Sequence, residues 1–114
     1  MGDALRRRCL HLYIPFPDAE RERRIVQIKV PNIPETLRNQ LVDFIHQLRD
    51  LDLKKLPAVS ETIDWARTLL LMHADKLDPD MVRDTLNVIL KFQDDAERVD
   101  TELRAMVRRA QEGR

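Results

Sequence analysis

Apolar residues recur every three or four positions along most of this chain, which is the spacing of an amphipathic α-helix. The stripe that follows Glu35 consists of Leu37, Leu41, Phe44, Leu48 and Leu51. A second stripe near the C-terminus consists of Val82, Leu86, Ile89, Phe92, Ala96, Val99, Leu103, Met106 and Ala110. We expect the first stripe to form one helix, and the second to form one long helix or two nearly collinear helices.

Residues that favour the ends of helices divide the chain further. Pro17 suits the first turn of a helix over residues 18–29, and the prolines within residues 30–34 end that helix. Ser60 is a natural N-cap for a helix that ends near Met72, and Asp78 with Pro79 forms another N-cap and first-turn pair. The residues of the Ser60 helix that we expect in the core are Ile63, Trp65, Ala66, Leu69 and Leu70.

One segment alternates like a β-strand instead, with Leu10, Leu12 and Ile14 on one face and Cys9, His11 and Tyr13 on the other. No second strand is predicted to pair with it, so it is expected to join a sheet outside this chain or to run as an extended arm. The predicted fold class is therefore all-α: a small bundle of four to five helices, preceded by one short N-terminal strand or extended arm.

Composition excludes several classes of protein. The 114 residues make one domain at most, and twenty basic side chains are balanced by twenty acidic ones, so we expect neither a nucleic acid nor a membrane as a partner. A single cysteine fits a reducing compartment, and no apolar run is long enough for a bilayer, which favours a cytoplasmic protein. Gly2 and Gly113 are the only glycines, so the chain has no P-loop and should not hydrolyse ATP alone.

Several Cys, His and carboxylate side chains could belong to a chemical site, but a structural role explains each of them. Cys9 and His11 lie on the same face of the predicted strand, but no other ligands complete a metal site, and His46 and His73 lie on separate helices. We therefore predict no metal site. The carboxylates considered for acid–base work are near basic residues or at helix N-termini, where they stabilise structure; they are Glu20, Asp43, Glu61 and Asp64.

Four consecutive blocks resemble the C-terminal part of MoxR-family AAA+ ATPases, over about residues 2 to 93. The blocks are GDALRRRCLHLYIPFPDAERERRIV, VPNI, LDLKKLPAVSETIDWARTLL and LDPDMVRDTLNVILKF. The resemblance implies that residues 1–16 end the AAA+ core with an arginine-finger turn and the last strand, that residues 17–93 form the helical lid, and that residues 94–114 are a C-terminal helical extension.

The resemblance also implies site residues. The family places an arginine after an Ala-Leu pair and before the last core strand, where it reaches the nucleotide of the neighbouring ring subunit. Arg8 matches that arginine finger, with Arg7 as the alternative. The lid helix at Ser60 lacks the sensor arginine that many AAA+ proteins carry in its first turn, which leaves Thr62 and Arg67 as the candidates for contact with the nucleotide.

The implied function is lid closure and an arginine finger for ATP hydrolysis in a ring, in chaperone-like maturation of metalloenzymes or complexes. ATP and Mg²⁺ would be needed only together with a P-loop core. The implied partners are that core, the neighbouring ring subunits and a von Willebrand A domain protein. The alternative is a stand-alone helical adaptor that binds a protein partner through its C-terminal stripe, although the same stripe would equally suit packing on the helix of residues 37–51 within the chain.

Overall fold

Five helices account for most of residues 16–112, which are the residues that the computed structural model describes. They are α1 (Ala19–Lys29), α2 (Glu35–Arg49), α3 (Val59–Leu71), α4 (Pro79–Ile89) and α5 (Gln93–Gln111). The predicted all-α bundle is confirmed, and no strand occurs within the described range. The strand predicted for residues 9–14 lies outside it.

The helices pack in a closed order around one apolar core. Helix α1 contacts α2, α2 contacts α5, α5 contacts α4, α4 contacts α3, and α3 returns to α1, while α2 also touches α3. The predicted stripe of α2 is fully buried from Leu37 to Leu48. Trp65 is also fully buried; its ring centroid lies 5.6 Å from that of Phe44, and its Nε1 donates to Thr85 Oγ1 at 2.8 Å. The predicted core position of this tryptophan is confirmed.

Local capping explains where three of the helices begin. Asp78 caps α4 and Pro79 occupies its first turn, as predicted. Asp18 accepts from Arg21 N at 2.8 Å and is the N-cap of α1, so Pro17 precedes the cap instead of starting the helix. Helix α3 begins before Ser60, and the predicted N-cap is wrong: Glu61 Oε1 accepts from Ala58 N at 2.8 Å, which extends the first turn towards the N-terminus.

Helix α3 ends in a left-handed turn at His73, whose φ is 60°. The N–H of Ala74 donates to Leu69 O at 3.1 Å, and that of His73 donates to Leu70 O at 3.0 Å. This pair of hydrogen bonds is the Schellman motif, in which the left-handed position is usually glycine. The histidine therefore holds a backbone conformation that costs an L-residue free energy.

The chain reverses direction between α4 and α5, so the prediction of one long helix or two collinear helices is wrong. Leu90 and Phe92 adopt extended backbone angles, with ψ of 134° and 138°. Arg83 of α4 binds Asp100 of α5 at 2.8 Å, and Gln111 Nε2 donates to Leu77 O at 2.8 Å, so α5 runs back along α4. The turn was not predicted because the helical spacing of apolar residues continues through it.

The C-terminal stripe packs inside the chain. Val99, Leu103 and Met106 are buried, and α5 lies against α2, where Gln47 Nε2 donates to Met106 O at 2.9 Å. Arg109 Nε donates to Gln47 Oε1 at 3.0 Å in the same contact. Two roles were predicted for this stripe, binding a protein partner or packing on α2, and the structure shows that it packs on α2. None of the described helices is long and apolar enough to cross a membrane.

Candidate functional site

The most highly organised polar group in the described part of the chain is the ionic cluster, which we define as Glu22, His46, Arg49 and Thr62. Glu22 lies near the start of α1 and Thr62 near the start of α3. His46 and Arg49 are three residues apart in the last turn of α2, so both project from one face of that helix. The cluster thus joins three helices.

The carboxylate of Glu22 has four donors around it. Arg49 Nη1 donates to Oε1 at 2.6 Å and Nη2 donates to Oε2 at 2.9 Å, the bidentate geometry that suits a guanidinium and a carboxylate. His46 Nε2 lies 2.8 Å from Oε1, and Thr62 Oγ1 donates to Oε2 at 2.7 Å. Because a carboxylate has about four acceptor positions, Glu22 is saturated.

Burial alone would raise the pKa of Glu22, whose side chain is completely inaccessible to solvent. The hydrogen bonds from His46, Arg49 and Thr62, together with the positive charge of Arg49, outweigh burial and lower the pKa to about 2. A carboxylate that is ionised at neutral pH and has no free acceptor position can serve neither as a general acid nor as a general base. The cluster is therefore a structural tie between helices.

Arg49 also contacts Phe16, which precedes α1, and Pro57, which precedes α3. Its guanidinium carbon lies 4.3 Å from the ring centroid of Phe16, a cation–π contact, and its Nε donates to Pro57 O at 2.9 Å. Pro57 immediately precedes the turn that opens α3. The point where the described chain begins and the start of α3 consequently lie at the same end of the bundle.

Of the four predicted site residues, the structure describes Thr62 and Arg67. Arg8 and Arg7 lie outside the described residues, as do Cys9 and His11. Thr62 is fully buried and its hydroxyl is engaged by Glu22, whereas Arg67 is exposed. Five residues along a helix of 3.6 residues per turn place these two side chains on different faces.

Two features that mark many metal and phosphate sites do not occur within residues 16–112. No group of three His, Cys, Asp or Glu side chains within residues 16–112 is arranged to hold a metal. No glycine occurs in the same range, so it contains no glycine-rich loop whose backbone could approach a phosphate.

Glu22 was not among the carboxylates predicted from the sequence, which included Glu20 on the same helix. Glu20 is exposed and forms an ordinary surface pair with Arg24 at 3.3 Å. Glu22 precedes the buried residues Val26 and Val30 by four and eight positions, so it continues the apolar face of α1. That spacing was the available signal, since a charged residue on a buried face needs a partner.

A second buried carboxylate, Asp95, was also missed. It accepts from Lys54 N at 2.8 Å and Lys55 N at 3.2 Å, and only 3% of its surface is exposed. It attaches the loop between α2 and α3 to the start of α5. Its role is to satisfy backbone N–H groups that the loop leaves without partners.

Comparison of the chain with protein-family models, with curated proteins and with solved structures finds no match in any of the three.

Proposed function

We propose that this chain is the helical lid of a MoxR-type AAA+ ATPase, together with the arginine-finger turn that precedes it. In this proposal the lid closes over a nucleotide held by a P-loop core, and Arg8, or alternatively Arg7, completes the active site of the neighbouring subunit. The chain does not hydrolyse ATP alone. The order of the four sequence blocks supports the proposal, as does the all-α bundle that contains most of their residues.

The contact between Phe16 and Arg49 is the observation that carries the proposal furthest. A lid that follows a core domain must present to that core both the point where its chain begins and the helix start that faces the nucleotide. Phe16 lies against Arg49, and Arg49 binds both Pro57 O and Glu22, the partner of Thr62. Both features that a lid requires therefore occur at one end of the bundle.

The ionic cluster supports a mechanical role. It fastens α1, α2 and α3 together next to the proposed junction with the core. The pKa of Glu22 is lowered to about 2, so its carboxylate stays ionised at neutral pH and keeps its ion pair with Arg49. A lid joined in this way moves as a unit when it closes on ATP and opens after hydrolysis.

Contact with the nucleotide through Thr62 would require its buried hydrogen bond with Glu22 to break. Arg67 is exposed but lies more than one turn beyond the start of α3. The proposed contribution of this lid is therefore closure and the arginine finger, and it does not depend on a sensor residue in the first turn of α3.

The proposal is tested first at the DNA level. The sequence upstream of the Met1 codon is read in frame for a Walker A loop followed by an acidic Walker B strand. Their presence in the same frame would support the lid. A promoter and ribosome-binding site directly upstream would favour the adaptor, which would need another surface than the part of the C-terminal stripe from Val99 to Ala110, because those residues are buried.

The second test measures ATP turnover of the protein that carries both the P-loop core and this chain. Loss of an arginine finger lowers the rate by about a thousandfold or more, so we expect that loss for Arg8→Ala. Arg7→Ala tests the alternative, and Arg6→Ala is the matched control in the same basic run. Turnover that none of the three substitutions changes would remove the arginine finger from the proposal.

A further inference from the structure

A groove runs between α4 and α5. Its volume is about 520 Å³. Leu86, Leu90 and Ala96 form its apolar floor, and Phe92, with 45% of its surface exposed, lies at the turn between the two helices. An exposed phenylalanine beside an apolar floor is a feature of protein interfaces.

The two sides of this groove carry opposite charges. The charged residues that line it from α4 and the following turn are Arg83 and Lys91, and those that line it from α5 are Glu97 and Asp100. The ion pair between Arg83 and Asp100 at 2.8 Å shows that these two residues lie at the same height along the antiparallel helices. Lys91 and Glu97 lie nearer to the turn. Both positive residues therefore lie on one side of the groove and both negative residues on the other.

We propose that this α4–α5 face binds the same face of a second copy of the chain, about a two-fold axis parallel to the two helices. Such a rotation places α4 of one copy over α5 of the other and leaves the position of each residue along the axis unchanged. The positive side of each groove then meets the negative side of the other, and Lys91 of one copy lies opposite Glu97 of its mate. Two-fold pairing of identical surfaces is the commonest form of protein assembly.

The charges are available for this contact. Lys91 Nζ lies 3.7 Å from Glu61 Oε2, but 54% of its side chain is exposed. Glu97 is exposed and, among residues 16–112, accepts only a long hydrogen bond, 3.4 Å, from Gln93. Burying Phe92 of both copies supplies apolar area between the two pairs of charges. Since stable dimers bury about 1,200–2,000 Å² in total, a face of two short helices should give a weak, reversible dimer.

The proposal does not rest on the proposed function, and it is tested with the chain as it stands. Sedimentation equilibrium of the wild-type chain, from micromolar to millimolar concentration, is expected to show a monomer–dimer equilibrium. Lys91→Glu places two acidic residues opposite each other at both contacts, and Glu97→Lys does the same with two basic residues. Each variant alone should dimerise at least about tenfold more weakly, because like charges that face each other across an interface repel.

An equimolar mixture of the two variants provides the decisive measurement. One copy then carries acidic residues at both positions and the other carries basic residues at both, so every contact in a mixed dimer is attractive. We expect the mixture to form a heterodimer at concentrations at which each variant alone is mainly monomeric. Both residues are exposed, so circular dichroism should show the same helix content throughout.

Lys29→Glu is the matched control, since it makes the same charge change on α1, which packs against α2 and α3. Its association should equal that of the wild-type chain. A wild-type chain that is monomeric at every concentration would overturn the proposal, as would variants that associate as strongly as the wild type. A mixture that remains monomeric would also overturn it.

Discussion

Replacing Glu22 by glutamine removes the charge of the ionic cluster while keeping nearly the same side-chain shape. Arg49 then retains its positive charge with only 6% of its side chain exposed and with no carboxylate to balance it. The amide group of glutamine also brings two N–H donors to a site that His46, Arg49 and Thr62 already fill with donors. The variant is therefore expected to be strongly destabilised.

The magnitude follows from the burial of both partners. Removing one member of a buried ion pair costs about 3–5 kcal/mol, because the remaining charge is left uncompensated. A domain of this size has a total free energy of unfolding of about 5–15 kcal/mol, so Glu22→Gln should remove a large part of it. Glu22→Met combined with Arg49→Met removes both charges together and should recover most of the loss.

Urea denaturation at neutral pH, followed by far-ultraviolet circular dichroism, measures this effect. For an unfolding slope of about 1–3 kcal/mol per molar urea, a loss of about 3–5 kcal/mol should lower the midpoint of Glu22→Gln by about 1–5 M relative to the wild type. Glu20→Gln makes the same chemical change on an exposed residue of the same helix, 72% exposed, and should change the free energy of unfolding by less than about 0.5 kcal/mol. Equal midpoints for the two variants would refute the reasoning.

Three further predictions concern stability and use the same denaturation assay. The pKa of Glu22 is lowered from 4.5 to about 2, so the unfolded chain binds a proton at this residue before the folded chain does as the pH falls. The free energy of unfolding of the wild type should therefore fall by about 3 kcal/mol between about pH 5 and pH 2. A wild-type pH profile equal to that of Glu22→Gln would contradict this. His73→Gly should raise the free energy of unfolding by about 0.5–1 kcal/mol, because glycine adopts the left-handed conformation without strain, and a lower stability would argue against strain at this turn. Thr85→Val should cost about 1–3 kcal/mol, since it leaves the buried Nε1–H of Trp65 without an acceptor, whereas Thr85→Ser keeps the hydroxyl and should cost less.

Most of the secondary structure was predictable because it depends on neighbours in the sequence. The stripe from Leu37 to Leu48 and the start of α4 at Asp78 and Pro79 follow from helical spacing and from capping by residues three positions apart. The start of α3 was predicted two residues too late, because the side chain of Glu61 accepts from Ala58 N and so the first turn begins before Ser60. The all-α class followed from the same local signals.

Only the tertiary structure decided the direction of α5 and the identity of the ionic cluster. The spacing from Val82 to Ala110 is continuous, and nothing local distinguishes a straight helix from a reversal at Leu90–Phe92; burial of the stripe against α2 makes the difference. Glu22 reaches Arg49 and Thr62 across 27 and 40 residues. The sequence by itself determined where helices form, because hydrogen bonds within a helix join residues four apart. Which faces meet depends on burial and charge pairing between distant segments, which is a property of the folded chain alone.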